Sequence, residues 1–299
     1  MRILLPIRFA EQNRYPVARG RATSQGNQII PCSPSPKRHF LPVRIKLTLA
    51  YDGRTLDGWQ SQPSGNTVQD HLEKAASETA KEPVRVHGSG RTDAGVHALA
   101  QVAHFDAPER LTMNPFNWVP ALNTKLPASI RVLSAEEVAH DFHARFSAKG
   151  KTYCYNICTE PVLSPFKAGL AWHLPRQLDP YLLEDALKAT LGRHCFKAFA
   201  AKRGNETEAT DYHRTLTCAS LESQDDGWRL TWTGDGFLYK MVRLLTGSVI
   251  EVAQGRRRIE EFTQLLDQSA ELPHGRAPYC APADGLYLQA VAYASSLKS

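Results

Sequence analysis

From Val43 the chain alternates, with Val43, Ile45, Leu47 and Leu49 separated by Arg44, Lys46, Thr48 and Ala50. A period of two lines one face of a strand with apolar side chains, so this segment needs strands beside it and a second layer over that face. Asp52-Gly53 ends the run in a turn. Thr67 is placed to cap a helix, with Asp70 in its first turn and Val68, Leu72, Ala75, Ala76 and Thr79 as its apolar stripe. Val84 and Val86 start a strand, Ala100 to Phe105 reads as its neighbour, Asn114 to Lys125 as a second helix closed by Leu126-Pro127, and Ile130 to Leu133 as a further strand. Strand, helix, strand, strand, helix, strand is the order of a ferredoxin-like half, with helices on one face of an antiparallel sheet.

The second half repeats the alternation. Thr152 to Ile157 is a strand with Tyr153, Tyr155 and Ile157 on one face. Asp179-Pro180 marks a helix start, with Leu182, Leu183, Ala186, Leu187, Thr190 and Leu191 as its buried stripe up to Gly192. Leu216 to Ser223 and Trp228 to Thr233 pair around Asp225-Asp226-Gly227. Phe237 to Val252 reads as a helix with Met241, Leu244, Leu245 and Val249 inward, Ile259 to Leu266 as a shorter one, and Leu286 to Tyr293 as a closing strand. The pattern predicts an α+β, two-layered fold.

Between the first two inner strands lies Gly88-Ser-Gly-Arg-Thr-Asp-Ala-Gly-Val-His97. Three glycines allow tight turns and close approaches, and a single carboxylate, Asp93, stands among them. Arg91, two residues earlier, is near enough for loop geometry to hold that carboxylate ionised and oriented. Arg-x-Asp in a glycine turn is also the composition of an ordinary surface ion pair. A phosphate cradle fits less well: the spacing is not the dinucleotide fingerprint and no Lys-Ser/Thr follows.

Charge is unevenly placed. The net charge of +6 is carried by residues 1–42, where Arg2, Arg8, Arg14, Arg19, Arg21, Lys37 and Arg38 face only Glu11, and the rest of the chain is neutral. A nucleic-acid surface in the body therefore has to come from segregation of charge onto one face. Residues 1–42 lack periodicity and end in Pro31-Cys-Ser-Pro-Ser-Pro36; a disordered basic arm, a targeting peptide and a mis-assigned start all fit them. The six cysteines, Cys32, Cys154, Cys158, Cys195, Cys218 and Cys280, show no paired zinc spacing and read as reduced thiols of a cytoplasmic protein. No apolar run reaches membrane-spanning length.

Gly90-Arg-Thr-Asp-Ala-Gly-Val-His97 resembles the signature of the TruA-type tRNA pseudouridine synthases. Similar segments follow in order: Tyr51-Asp-Gly53 with Gly58-Trp-Gln60, Thr67-Val-Gln69, Gln101-Val-Ala-His-Phe-Asp106, Ala144-Arg-Phe146, Tyr153-Cys-Tyr155, Phe237-Leu-Tyr-Lys-Met-Val-Arg243, and Ala281-Pro282 with Gly285-Leu286. They span Val43 to about Tyr293. Two departures stand out: Cys195, where the family commonly carries an aspartate, and Thr55-Leu-Asp57 before Gly58.

The resemblance implies a pseudouridine synthase fold: two ferredoxin-like halves, residues 43–148 and 149–299, with antiparallel sheets flanking a central cleft. It implies a tRNA-modifying isomerase acting on uridines 38, 39 and 40 of the anticodon arm as a homodimer, without metal, cofactor or membrane. Asp93 is then the catalytic residue, as nucleophile or as the base that starts elimination. Arg91 and Arg243 are the cations of the site, and Tyr153, preferred over Tyr155, is the ring that meets the target uracil. His97 and His104 are expected to be structural. Lys149, Lys151, Lys202, Arg203 and Arg256-Arg-Arg258 read as solvated charge, with RNA phosphates as a secondary use. Two other classes compete: a glycoside hydrolase, which needs a second carboxylic acid that the loop does not offer, and a non-catalytic binder of structured RNA, which would be expected to show aromatic strand motifs absent here.

Overall fold

The computed structural model describes residues 43–111, 113–202, 204, 206–266, 277 and 279–294. The readings of residues 1–42 and of Arg203 lie outside them. In chain order the elements are β1 (Val43–Tyr51), α1 (Val68–Ala80), β2 (His87–Gly88), β3 (His97–Ala107), α2 (Pro115–Asn123), β4 (Ile130–Val138), β5 (Ala148–Cys158), β6 (Trp172–His173), α3 (Pro180–Ala189), β7 (Gly192–Cys195), β8 (His213–Gln224), β9 (Gly227–Gly234), α4 (Met241–Ala253), α5 (Ile259–Gln264) and β10 (Leu286–Tyr293).

The architecture is α+β. One sheet runs β4-β1-β3-β10-β5-β9-β8-β7, with β2 added to β3 and β6 to β5. It is mixed, not purely antiparallel as the sequence pattern suggests. The last strand crosses back to the middle, where β10 pairs parallel with β3 (Tyr287 opposite His97) and antiparallel with β5 (Leu288 opposite Tyr153). Strands distant in sequence are thereby brought side by side, which puts the loop before β3 next to the residues of β5.

The alternation in β1 appears as expected: Ile45, Leu47, Leu49 and Tyr51 are buried and the residues between them partly exposed. Thr67 caps α1, its hydroxyl accepting from the Asp70 amide at 3.2 Å, although Ala80 and not Thr79 completes the buried stripe. The hairpin closes through Asp225-Asp226, with Gln224 opposite Gly227. α2 packs on β4 and α1, while α3 packs on α4 and β8. A single apolar cluster runs through these layers from Ile45 to Leu288. Among the described residues no helix is long and apolar enough to cross a membrane.

Three predicted elements are corrected. Val84 and Val86 are buried but not in a strand, because their amides are taken by side chains of α1: Val84 by the Ser77 hydroxyl at 2.9 Å and Val86 by the Glu73 carboxylate at 3.1 Å. The stripe of α3 is narrower than predicted, since Leu182 and Leu191 face solvent and Leu183, Ala186 and Leu187 face inward. Residues 237–240 form a loop, and α4 begins only at Met241 after Lys240 adopts a left-handed conformation, φ 58°.

Candidate active site

The Asp93 loop leaves the two-residue strand β2 and returns as β3. Its course is set by polar groups that the sheet buries beneath it. Gln101, on β3, is wholly buried; its carboxamide accepts from the Ser89 hydroxyl at 2.6 Å and donates to the Gly90 carbonyl at 3.1 Å. It also donates to the Tyr51 hydroxyl at 3.4 Å, and Tyr51 shares a 2.8 Å hydrogen bond with the Thr92 hydroxyl. Burial pushes the Tyr51 phenol up to about 12, so it stays a neutral partner. Gly95 turns the chain with φ 79°, a left-handed conformation that suits glycine, and the Val96 amide closes on the Asp93 carbonyl at 3.2 Å. Leu56 and Trp59 clamp the outside: the Gly95 amide donates to the Leu56 carbonyl and the Trp59 amide to the Thr92 carbonyl.

Asp93 stands at the crest of this loop with 21% of its side chain exposed. Arg243, in the first turn of α4, donates from Nη1 to its carboxylate at 3.1 Å and from Nε to the Ala281 carbonyl at 2.7 Å. The Ala281 amide returns a bond to the Arg243 backbone carbonyl, so the backbone and the side chain of Arg243 are both tied to residue 281. Such a fixed, partly enclosed pair orients the carboxylate.

The pair lines a cavity of about 610 Å³, within the usual range of roughly 300–1,000 Å³ for small-ligand sites. Tyr153 forms part of the same wall, its ring edge-on to Phe237 at a centroid distance of 5.0 Å. Burial, with Tyr51 and Asp93 nearby, raises its phenol well above the ordinary range. Tyr155, two residues on, is fully buried, with its hydroxyl on the Pro282 carbonyl and its ring edge-on to Trp172. The two tyrosines thus differ in place: Tyr153 borders the cavity and Tyr155 is packed in the core.

Arg91 also lines the cavity and is exposed, while the ion pair to Asp93 comes from Arg243. His97 is buried: Nδ1 accepts from the Gly53 amide, Nε2 faces the Gly169 carbonyl at 3.0 Å, and the ring stacks on Tyr287. His104 accepts the Ala144 amide through Nδ1, and burial beside His143 and Arg44 lowers it to about 4. Each ring thus accepts a backbone amide from another segment of the fold. Arg257 and Arg258 are engaged by Glu251 and Glu261, whereas Lys149, Lys202 and Arg256 are exposed. Lys151 is not the solvated charge that the sequence suggests. It is partly buried on the cavity wall, donates to the Ser89 carbonyl at 2.9 Å, and is lowered by desolvation to about 8.

Sequence reasoning missed the Gln101 network and the loop of Phe237 and Leu238 that closes the cavity beside Tyr153. A glutamine set between the apolar residues Ala98-Leu-Ala100 and Val102-Ala103 was the available signal for the first. The second was hidden because Phe237-Leu-Tyr-Lys-Met-Val continues the apolar spacing of α4 backwards. Among the described residues no group of three or more His, Cys, Asp or Glu is placed to hold a metal ion.

With this geometry in place, comparison with known proteins adds the following. The profile of the family described as tRNA pseudouridine synthase matches residues 48–147 and 186–294. A tRNA pseudouridine synthase A of Akkermansia muciniphila is 51% identical over 84% of this chain and 95% of its own. A tRNA pseudouridine synthase A 2 of Clostridium perfringens is 39% identical over 83% of this chain and 99% of its own. A tRNA pseudouridine synthase A of Lacticaseibacillus casei is 41% identical over 84% of this chain and 100% of its own.

Proposed function

The chain belongs to the tRNA pseudouridine synthase family, and from that premise we propose that it isomerises uridine to pseudouridine in tRNA, with Asp93 as the residue that performs the chemistry. The observation that carries this reading is the Asp93–Arg243 pair on the wall of a nucleotide-sized cavity that Tyr153 also borders.

A base stacked in an RNA stem hides its reacting atoms, so the target uridine is flipped out of the strand and into the cavity. The C1′–N1 bond breaks, the uracil turns, and C1′–C5 forms; C5 gives its proton to solvent and N1 takes one up from solvent. Every heavy atom of the base remains in the RNA, and no oxidant, reductant or group donor is consumed. Asp93 acts on the ribose, as nucleophile at C1′ or as the base that starts an elimination. Either role needs the carboxylate at a fixed angle, which Arg243 and the buried network under the loop provide. Tyr153 offers a flat ring to the detached uracil, and burial keeps its hydroxyl protonated. Arg91, at the open side, takes the space vacated by the flipped nucleotide or holds a phosphate.

The finer reading follows the family. The fold is that of the pseudouridine synthases, with two ferredoxin-like halves, residues 43–148 and 149–299, flanking a central cleft. The protein works in the cytoplasm as a C2 homodimer on positions 38, 39 and 40 of the anticodon arm, recognising tRNA by shape. Incubation of the purified protein with unmodified tRNA, followed by mapping of pseudouridine, tests the reading. Pseudouridine at those positions, absent with Asp93→Asn, is the expected result. Binding without any modification would favour a non-catalytic RNA binder, and modification confined to the T loop or D stem would overturn the site assignment.

A further inference from the structure

Lys151 is a charged group on the cavity wall that the isomerisation does not use. It lies on β5, two residues before Tyr153, and its ammonium reaches back to the Ser89 carbonyl of the Asp93 loop at 2.9 Å. The ammonium packs against Gly90, where a Cβ would stand 2.6 Å from Nζ. Among the described residues no carboxylate pairs with it, and the charge that acts on it most is another cation, Arg145. Arg145 lines the same cavity from the turn after His143, where its amide is tied to the His143 ring nitrogen at 3.1 Å. Asp93, the acid of the cavity wall, is engaged by Arg243.

An ammonium has three donors, and here one is used. A partly buried cation without a counter-charge, placed beside a second cation, is an unfavourable arrangement that a bound anion relieves. Desolvation accordingly holds Lys151 at about 8, so it is still mostly charged at neutral pH and an incoming anion meets an ammonium. An RNA strand delivers such an anion together with the base, because a flipped nucleotide carries its phosphodiesters to the mouth of the cavity.

We propose that Lys151 and Arg145 form an anion site for a phosphodiester flanking the target uridine, which ties the bound RNA backbone to the Ser89 end of the loop that carries Asp93. The inference rests on the RNA reading above and deepens it. Because Lys151 holds the loop and the strand at once, the site couples docking of the backbone to placement of the carboxylate.

The test uses a synthetic anticodon stem-loop in which each phosphate flanking the target uridine is replaced in turn by an uncharged methylphosphonate, with wild-type protein and Lys151→Met. One replacement is expected to weaken wild-type binding about tenfold, the worth of one charge-assisted contact. The same replacement should cost Lys151→Met less than about twofold, and the salt dependence of binding by the variant should be shallower by about one phosphate contact. A measurement on the wild type alone guards against a misfolded variant: trace acetylation across pH should show the Lys151 midpoint moving up when the stem-loop binds, and moving less when the critical phosphate is neutral. Additive penalties, or a midpoint that stays or falls on binding, would overturn the site while the wild type still makes pseudouridine. If the wild type neither binds nor modifies the all-phosphate stem-loop, the RNA reading falls and takes this inference with it.

Discussion

The two walls of the cavity are held in place by different physics. Asp93 rides on a loop, fixed by hydrogen bonds from Gln101, Tyr51 and Thr92 that the sheet has buried. Arg243 rides on a helix, fixed by packing, for eleven of the thirteen residues of α4 are buried. Hydrogen bonds aim a flexible segment by direction, while apolar contacts fix a stiff element without favouring one angle. Damage under the loop should therefore show first in turnover, and damage behind the helix first in stability.

The largest effect removes the reacting group itself. Asp93→Asn should lower turnover by a factor on the order of 10⁴ or more, with thermal unfolding and tRNA affinity near those of the wild type. Turnover within tenfold of wild type would remove Asp93 from the mechanism. Arg243→Met comes next and crosses between the walls, because it strips both the carboxylate and the Ala281 carbonyl of a donor. A loss of about 10²-fold in kcat is expected for one electrostatic partner, with a drop in Tm that Asp93→Asn does not show. In the double variant the two losses should not add, since both act through one carboxylate.

The contrast itself is tested by Leu245→Ala against Gln101→Leu. Leu245 is fully buried in α4, and its truncation should cost about 2–5 kcal/mol of stability while the folded enzyme keeps kcat within about threefold. Gln101→Leu leaves a buried hydroxyl and carbonyl without their partner, at about 1–3 kcal/mol, yet kcat should fall by about tenfold or more because the carboxylate loses its aim. Denaturant unfolding and steady-state kinetics on both variants decide the matter. Equal kcat losses would show that the two walls form a single mechanical unit.

This division also explains what the sequence could and could not convey. The alternation of β1, the Thr67 cap and the hairpin at Asp225-Asp226 are local, so their signals lie within the segments that form them. The Asp93 loop was legible because a carboxylate among closely spaced glycines is itself a local pattern. Lys151 was not, because its burial depends on a carbonyl 62 residues away and on a strand order in which β10 returns between β3 and β5. Val84 and Val86 carry strand residues, but side chains of α1 claim their amides. Arg243 was placed by family likeness alone, since one arginine in an apolar helix has no local feature that points it at Asp93.

On the uracil side, Tyr153→Phe should keep turnover within a few-fold of wild type. Tyr153→Ala should lose the stacking surface, worth about 1–3 kcal/mol, mainly in kcat. Similar, near-normal rates for both variants would make the residue packing, like Tyr155.

The smallest effect compares two lysines with left-handed backbones. Lys81 closes α1 with φ 55°, exposed and away from the cavity, and Lys240 precedes α4 with φ 58° on the cavity wall. This conformation costs a residue with a Cβ about 1–2 kcal/mol, whereas glycine gives back about 0.5–1 kcal/mol through the freedom of its unfolded chain. Lys81→Gly and Lys240→Gly should therefore each raise stability by up to about 1 kcal/mol. Their effects on function should part. Lys81→Gly should leave tRNA binding and turnover unchanged, while Lys240→Gly removes a cation from the site and loosens the step into α4, lowering affinity most at low salt. If Lys240→Gly gains stability with no loss of affinity or turnover, the loop of residues 237–240 is a passive connection, and the packing of α4 alone positions Arg243.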